Sequence, residues 1–345
     1  MKSFTGQVQV RSPQRGGLWR LLRPAFAVNP PLTILGVTML ITFVATLLGI
    51  FVDHRVITGA PAWLKPAKFA ISVSIYCFTF VWMLGFVQNR PRLVRLVANV
   101  TTASLIVDMV VILTQAARGT TSHFNQTTPL NTALWFTMGA FIVLVWIMNL
   151  VLAIMLLLQS MPDHAFAWSL RLGLLISAIG MATAFFMVAP TPEQTAANAG
   201  GHGPHMVGAH SVGVRDGGHG LPVFGWSTAG GDLRASHFVG LHALQVLPLL
   251  GWLLTRRRGV LALLIGSDRL ALVWSAGVTY LGLVLMLTWQ ALRGQSVVHP
   301  DTKTVAAAGS LAAGFAISVL ITVLRAVNRN RRRQAFTLAL QILSD

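Results

Sequence analysis

The chain has 345 residues, of which 54% are hydrophobic and only 10% are charged. Soluble domains carry about 25% charged residues, so this composition argues against a water-soluble fold and predicts that lipid covers much of the surface. The formal net charge of +17 would suit nucleic acid, but the basic residues lie in short runs between apolar stretches, without interleaved aromatic residues, and we expect no nucleic-acid partner.

Long apolar segments recur along the chain. A helix needs roughly 20 such residues to cross a bilayer, and no segment shows the alternation of a membrane β-barrel strand. The sequence therefore predicts an all-α integral membrane protein with about eight transmembrane helices in a lipid bilayer. We place the spans at 31–52, 64–87, 96–117, 132–158, 172–189, 236–254, 270–292 and 304–324.

The lysines and arginines predict how the spans are oriented. Most of the 26 lie in segment 1–30, in the connections after the second, fourth and sixth spans, and in the tail 325–345. Basic residues favour the cytoplasmic side. We therefore expect a protein of the cell inner membrane with both termini in the cytoplasm, and a tail that is first basic and then amphipathic.

Two pairs of segments resemble one another. QAARG at 115–119 and QALRG at 290–294 end the third and seventh spans, while WLKPAKF at 63–69 and DLRASHF at 232–238 open the second and sixth. Matches at corresponding positions predict an internal repeat. The halves would be 31–158 and 172–324, each with four helices running in the same directions through the membrane.

The longest connection, 190–235, is rich in glycine and histidine and is expected on the extracytoplasmic side. Its first half, through Gly203, has a composition typical of flexible segments. Its second half, GLPVFGWSTAGGDLR at 220–234, has aromatic residues among its glycines and is expected to form a structured interfacial loop.

Asp108 lies in the middle of the third span. A charge there costs roughly 2.5–3.5 kcal/mol on insertion scales, so a partner is expected. Lys68 lies at a similar depth in the second span, and we predict an Asp108–Lys68 pair, either part of a site or only a link between helices.

The sixth span carries His237 and His242. Five residues separate them, or about 140° around a helix, so they cannot ligate one metal from a regular helix. His242 shares a face with Gln245. The alternatives for these histidines are ligand binding and simple hydrogen bonding between helices.

Cations and amides crowd the extracytoplasmic ends of the spans. They would attract an anion such as phosphate, carboxylate or a haem propionate; helix capping and contact with lipid phosphates are the competing interpretations. The candidate ligand-binding residues are Lys68, Asp108, Gln115, Arg118, Arg234, His237, His242, Gln245, Gln290 and Arg293.

Nine of the ten histidines fall on the expected extracytoplasmic side. The loop sequence HGPHMVGAH at 202–210 would suit copper, zinc or nickel, although its spacing matches no defined site. The candidate metal ligands are His123, His202, His205, His210 and His299.

These features favour a protein that holds a cofactor, such as haem b or a transition metal, or a small anionic ligand in an extracytoplasmic pocket, with a redox or electron-transfer role. One alternative is a transporter of a small anion or metal ion. The other is a non-enzymatic assembly or sensory subunit that uses the tail. The sequence has no motif for nucleotide binding, metalloprotease activity or a nucleophile elbow, so no reaction is predicted.

Overall fold

A computed structural model describes residues 18–200, 206–256 and 258–344, and the fold is all-α, as predicted. Eight helical segments of this part of the chain are long and apolar enough to cross a membrane. In chain order the elements are α1 (Leu18–Val28), α2 (Pro30–Val52), β1 (Val56–Ile57), β2 (Ala60–Pro61), α3 (Leu64–Leu84), α4 (Pro91–Ala117), α5 (Pro129–Leu157), α6 (His164–Ala182), α7 (Phe185–Val188), α8 (Pro192–Ala199), β3 (Ser211–Val212), β4 (Gly231–Asp232), α9 (Leu233–Thr255), a 3-10 helix (Gly259–Leu263), α10 (Gly266–Leu292) and α11 (Thr302–Ser344).

Polar caps set the starts of several spans. The side chains of Asn29, Thr128, Asp163 and Asp232 accept hydrogen bonds from backbone N–H groups in the first turns of α2, α5, α6 and α9. Each cap satisfies one of the N–H groups that a helix start leaves without a partner. The cap at Asp163 explains why the fifth span begins at residue 164, eight residues before the predicted 172.

Two further boundaries differ from those predicted. The segment expected to be flexible begins with α8, because Thr191 and Gln194 form a capping box and Pro192 occupies the first turn. The eighth span and the tail form one helix, α11, which runs to Ser344 without interruption. Its tail is held in part by Arg329, whose guanidinium pairs with Asp268 at the start of α10.

The two halves pack in the same order. In the first, α2 packs on α3, α3 on α4, and α4 on α5; in the second, α6 packs on α9, α9 on α10, and α10 on α11. One large apolar core unites α2 to α6 with Leu244 of α9, and a second unites α6, α9, α10 and α11. The helices α6 and α9 thus belong to both cores.

A two-stranded antiparallel sheet also precedes the second span of each predicted half. The strands β1 and β2 precede α3, and β3 and β4 precede α9. The backbone of β4 lies against the end of α10, since a Cβ on Gly231 would be 2.0 Å from the carbonyl oxygen of Ala291. This contact fixes the start of α9, which carries several of the site residues.

Candidate functional site

Four connections meet at one end of the helices: those between α2 and α3, α4 and α5, α6 and α9, and α10 and α11. We call this end the long-loop face. Asn125 and Met206 form a β-bridge between two of these connections. Ser296 Oγ of the α10–α11 connection donates to the carbonyl of Ser227, which lies in the same α6–α9 connection as Met206, at 2.8 Å. The connections therefore form one folded layer over the helix ends.

Beneath this layer, six basic side chains from both halves line what we call the cationic crevice. They come from the first turns of α3 and α9 and from two of the connections. None is fully buried and none is fully exposed, so each keeps part of its surface accessible. The six residues are Lys65, Lys68, His123, His210, Arg234 and His237.

Lys65 and His123 form the first contact in the crevice. The ammonium of Lys65 donates to Nδ1 of His123 at 3.0 Å, and Ser122 Oγ lies 3.1 Å from the same nitrogen. Because Nδ1 accepts from Lys65, the proton of the neutral ring lies on Nε2. Burial holds the pKa of His123 well below its usual range, and positive charge on Lys65, His210 or His237 lowers this pKa further.

His210 lies beside His123, with ring centroids 6.2 Å apart. Its Nδ1–H donates to Asp216 Oδ2 at 2.7 Å, and the same carboxylate accepts from the backbone N–H groups of His210 and Ser211. Burial lowers the pKa of His210, partly offset by the Asp216 hydrogen bond. Burial acts to raise the pKa of Asp216, but the hydrogen bonds from His210 and Ser211 outweigh it and hold that pKa well below its usual range. Both imidazoles are therefore neutral at pH 7.

Arg234 and Lys68 hold the loop from Gly220 to Ser227. Arg234 Nη2 donates to the carbonyl of Gly225 at 2.5 Å, and Lys68 Nζ donates to that of Phe224 at 3.1 Å. Gly225 has a φ of +70°, a backbone conformation that favours glycine. A Cβ on Gly225 would be 3.9 Å from both Arg234 Nη1 and Lys68 Nζ, so the two cations lie close together.

Asp232 is the fully buried counter-charge of Arg234. Its carboxylate accepts from Arg234 Nε at 2.9 Å and Nη2 at 2.5 Å, and also from the backbone N–H of Ser227 at 2.8 Å. Asp216 and Asp232 balance two of the three cations Lys65, Lys68 and Arg234, so with all three protonated the formal charge of the crevice is 3 − 2 = +1. The Arg234 side chain is 30% exposed, whereas that of Asp232 has no exposed surface.

The sixth crevice residue, His237, is fixed by a backbone group of the neighbouring helix. Its Nδ1–H donates to the carbonyl of Gly180 in α6 at 2.8 Å. In His237 and His210 alike, Nδ1 carries the proton and Nε2 keeps a lone pair, which is the tautomer found in metal-ligating histidines.

Aromatic rings surround the polar atoms. The ring of His123 lies 5.5 Å from Trp135 and 5.8 Å from Phe69 between centroids. On the other side, Phe224 lies 4.9 Å from Trp226. The second half of the long connection is therefore a structured loop, as its sequence predicted.

The expected Asp108–Lys68 pair is wrong. Lys68 donates to the Phe224 carbonyl, while both carboxylate oxygens of Asp108 are buried without a hydrogen-bond partner among the described residues. The two residues lie at a similar depth in their predicted spans, but the Lys68 side chain extends toward the long-loop face. There it reaches the carbonyl of Phe224, which belongs to a loop distant in sequence. No sequence pattern locates that carbonyl.

The two Gln–Arg motifs are engaged at their own helix ends, outside the crevice. Gln115 Nε2 donates to the carbonyl six residues later, that of Thr121, at 3.2 Å, and Gln290 Nε2 donates to that of Ser296 at 2.9 Å. Arg118 binds Gln115 and Asn131. Arg293 binds Gln295, Asp301 and Thr304 in the last connection.

His242 lies deeper in α9 and connects the two halves. Its Nδ1 lies 3.2 Å from Gln245 Oε1, and Gln245 Nε2 donates to Thr79 Oγ1 of α3, also at 3.2 Å. His242 and Gln245 thus share a face, and both take part in a hydrogen-bonded contact between α9 and α3.

Of the proposed metal ligands that the structure describes, His299 lies apart from His123 and His210. His299 is exposed in the last connection, and His202 and His205 lie outside the described residues. Within 18–200, 206–256 and 258–344, no group of three or more His, Cys, Asp or Glu side chains is arranged to hold a metal ion. His123 and His210 do lie side by side, together with two cations.

Sequence reasoning missed Asp216 and the loop carbonyls of Phe224 and Gly225. Asp216 is one of the nine acidic residues of the chain, and its place in a histidine-rich connection was a usable signal. The two carbonyls gave no such signal in the sequence, because every residue has a backbone carbonyl.

Comparison with protein-family models, with curated proteins and with solved structures finds no match for this chain.

Proposed function

We propose that this membrane protein binds a small anionic ligand in the cationic crevice. The observation that carries the proposal is the number of unused donors. An ammonium has three N–H donors, and Lys65 and Lys68 each use one within the part of the chain that the structure describes. Arg234 Nη1 makes no hydrogen bond there.

The ligand class follows from these donors. Phosphate and carboxylate oxygens accept charge-assisted hydrogen bonds, which are about twice as strong as neutral ones. The donors are half-buried, so water screens them less than it screens surface lysines. Neutral His123 adds an Nε2–H donor, which suits a ligand with several oxygen acceptors.

The basic residues near the opposite end of the helices support an orientation for the site. Arg90, Arg92 and Arg95 precede and begin α4, and Arg325 to Arg333 lie in α11. With these on the cytoplasmic side, the long-loop face and its crevice open to the extracytoplasmic side of a cell inner membrane, and both termini lie in the cytoplasm.

A duplication of a four-helix unit supports placing the crevice between the halves. Aligning WLKPAKF with DLRASHF matches Lys65 with Arg234 and Lys68 with His237, and all four line the crevice. Gln115 and Gln290 make the same hydrogen bond at corresponding helix ends. Each half thus contributes one cation at the same position.

Haem is a second candidate, because it combines anionic propionates with a metal that takes histidine ligands. The observation in its favour is the tautomer of His210 and His237, whose Nε2 lone pairs are left free by the Asp216 and Gly180 hydrogen bonds. In this version the lysines and Arg234 bind propionates.

The test uses the full chain purified in a neutral detergent. Binding of phosphate, sulfate, succinate and haemin is followed by thermal shift and by absorption spectroscopy. Loss of one charge-assisted hydrogen bond costs about 1.5–3 kcal/mol, so Lys65→Gln and Lys68→Gln should each weaken binding roughly 10- to 100-fold.

Lys303→Gln is the matched control, since Lys303 is exposed on the same face and outside the crevice. It should bind as the wild type does. Equal affinities of wild type and both crevice variants for every anion would refute anion binding. A Soret band identical to that of free haemin in the same detergent would overturn the haem version alone.

A further inference from the structure

Asp108 is the acidic side chain that the crevice leaves unexplained. Only 6% of the residue is exposed, and neither carboxylate oxygen has a hydrogen-bond partner among the described residues. It lies nine residues before the end of α4 at Ala117, which is about 13.5 Å below the long-loop face at 1.5 Å per residue. It is therefore separate from the crevice.

Within the part of the chain that the structure describes, no counter-charge faces Asp108. The helices packed on α4 are α2, α3 and α5, and the sequences of α2 and α5 contain no ionisable side chain. On α3 the ionisable residues are Lys65, Lys68, Tyr76 and Cys77, and both lysines are engaged at the crevice. Tyr76 and Cys77 are neutral groups in such surroundings.

The same face of α4 carries two more unpartnered polar atoms. Thr101 and Ser104 lie seven and four residues before Asp108, so all three occupy one helix face. Their hydroxyl oxygens are buried without a hydrogen-bond partner in the described part of the chain. Thr102, by contrast, donates to the carbonyl of Ala98 in the usual way.

We propose that Asp108 is a proton-binding site in the membrane interior, with the Thr101 and Ser104 hydroxyls further along the same buried face of α4. A carboxylate in this position would be a buried charge without a partner. Uptake of one proton on one oxygen makes the group neutral, and its release restores the carboxylate. The chemistry is that of a carboxyl group that exchanges protons during transport coupled to a proton gradient.

The site belongs to one half only. Aligning QAARG with QALRG places Leu283 of α10 at the position of Asp108. The corresponding helix of the second half therefore has an apolar residue there, so the acid is a feature of the first half rather than of the repeated unit.

Dicyclohexylcarbodiimide tests the proposal, because this apolar reagent adds to protonated carboxyl groups inside membranes. We expect one adduct per chain at neutral pH, mapped to Asp108 by mass spectrometry and lost in Asp108→Asn. Labelling should fall as the pH rises. Asp163, which is water-accessible and paired with Arg269, is the internal control and should remain unlabelled.

Infrared spectroscopy gives an answer that does not depend on reagent access. The wild type should show the carbonyl stretch of a protonated carboxylic acid that Asp108→Asn lacks and that Asp108→Glu shifts. Identical spectra for wild type and Asp108→Asn in this region would overturn the proposal. Protection from labelling by Na⁺ at constant pH would also overturn it, by assigning the site to a metal cation.

Discussion

Replacing Gly180 with alanine tests how the fold positions the crevice. Gly180 in α6 lies against Gly240 in α9, and a Cβ on Gly180 would be 2.4 Å from the Cα of Gly240. Ordinary carbon–carbon contacts are about 3.5–4.0 Å, so the helices must separate by about 1 Å. The same residue supplies the carbonyl that accepts from His237 Nδ1, so the variant perturbs packing and site together.

The expected net effect is destabilisation. Overpacking costs typically about 1–3 kcal/mol, while alanine gains about 0.5–1 kcal/mol over glycine in a helix interior. The free energy of unfolding should therefore fall by about 0.5–2 kcal/mol. Anion affinity in the crevice should fall as well, because His237 loses its fixed orientation.

The lone cysteine provides the assay. Cys77 is fully buried in the first core, so a thiol-reactive dye reports unfolding of the chain during a temperature ramp. Gly314→Ala in α11 is the control, since a Cβ there meets nothing within 4 Å, and its melting temperature should equal or exceed that of the wild type. If Gly180→Ala is as stable as Gly314→Ala, the close α6–α9 contact is not a determinant of the fold.

Three further predictions concern other contacts. Burial lowers the pKa of His123 in the folded protein, so the unfolded chain takes up a proton at this residue first as the pH falls. The free energy of unfolding should therefore decrease below pH 6.5 by about 1.4 kcal/mol per pH unit. In melting measurements at decreasing pH, His123→Gln should reduce this slope. Gln115→Leu and Gln290→Leu each remove one of the two hydrogen bonds that the Thr121 and Ser296 carbonyls accept. Both should therefore cost about 0.5–1.5 kcal/mol, and a large effect of one alone would contradict equivalent roles. Asp163→Ala removes the α6 cap and the partner of Arg269 at once, so it should lower the melting temperature more than Asp163→Asn, which retains a capping oxygen.

Most of the fold was predictable because lipid imposes a simple rule on sequence. A backbone in hydrocarbon must satisfy its own hydrogen bonds, so continuous apolar runs of sufficient length become helices. The eight runs sufficed to predict the architecture. The start of α6 was predicted too late because its first turns, from His164 to Arg171, mix polar with apolar residues. The N-cap at Asp163 was the signal that mattered there.

The site was predictable only in part, because several of its contacts join residues that are far apart in sequence. Lys68, Arg234 and His237 were selected because cations near membrane helix ends are unusual, and they do lie together. The prediction of an Asp108–Lys68 pair rests on the cost of a charge inside a span and on the similar depth of the two residues. The actual partner of Lys68 is the Phe224 carbonyl, 156 residues away in sequence, and only the folded connection places it there.

The choice of carbonyls as partners has a physical consequence for the crevice. A carbonyl is a dipole without net charge, so Phe224 orients Lys68 without cancelling its charge, whereas Arg234 is already paired with the Asp232 carboxylate. A carboxylate beside Lys68 would form an ion pair and leave little attraction for an incoming anion. By holding Lys68 on a neutral group, the loop keeps this cation fixed in advance, which lowers the ordering cost of binding. The loop therefore acts in the proposed function as the element that prepares Lys68 for a ligand.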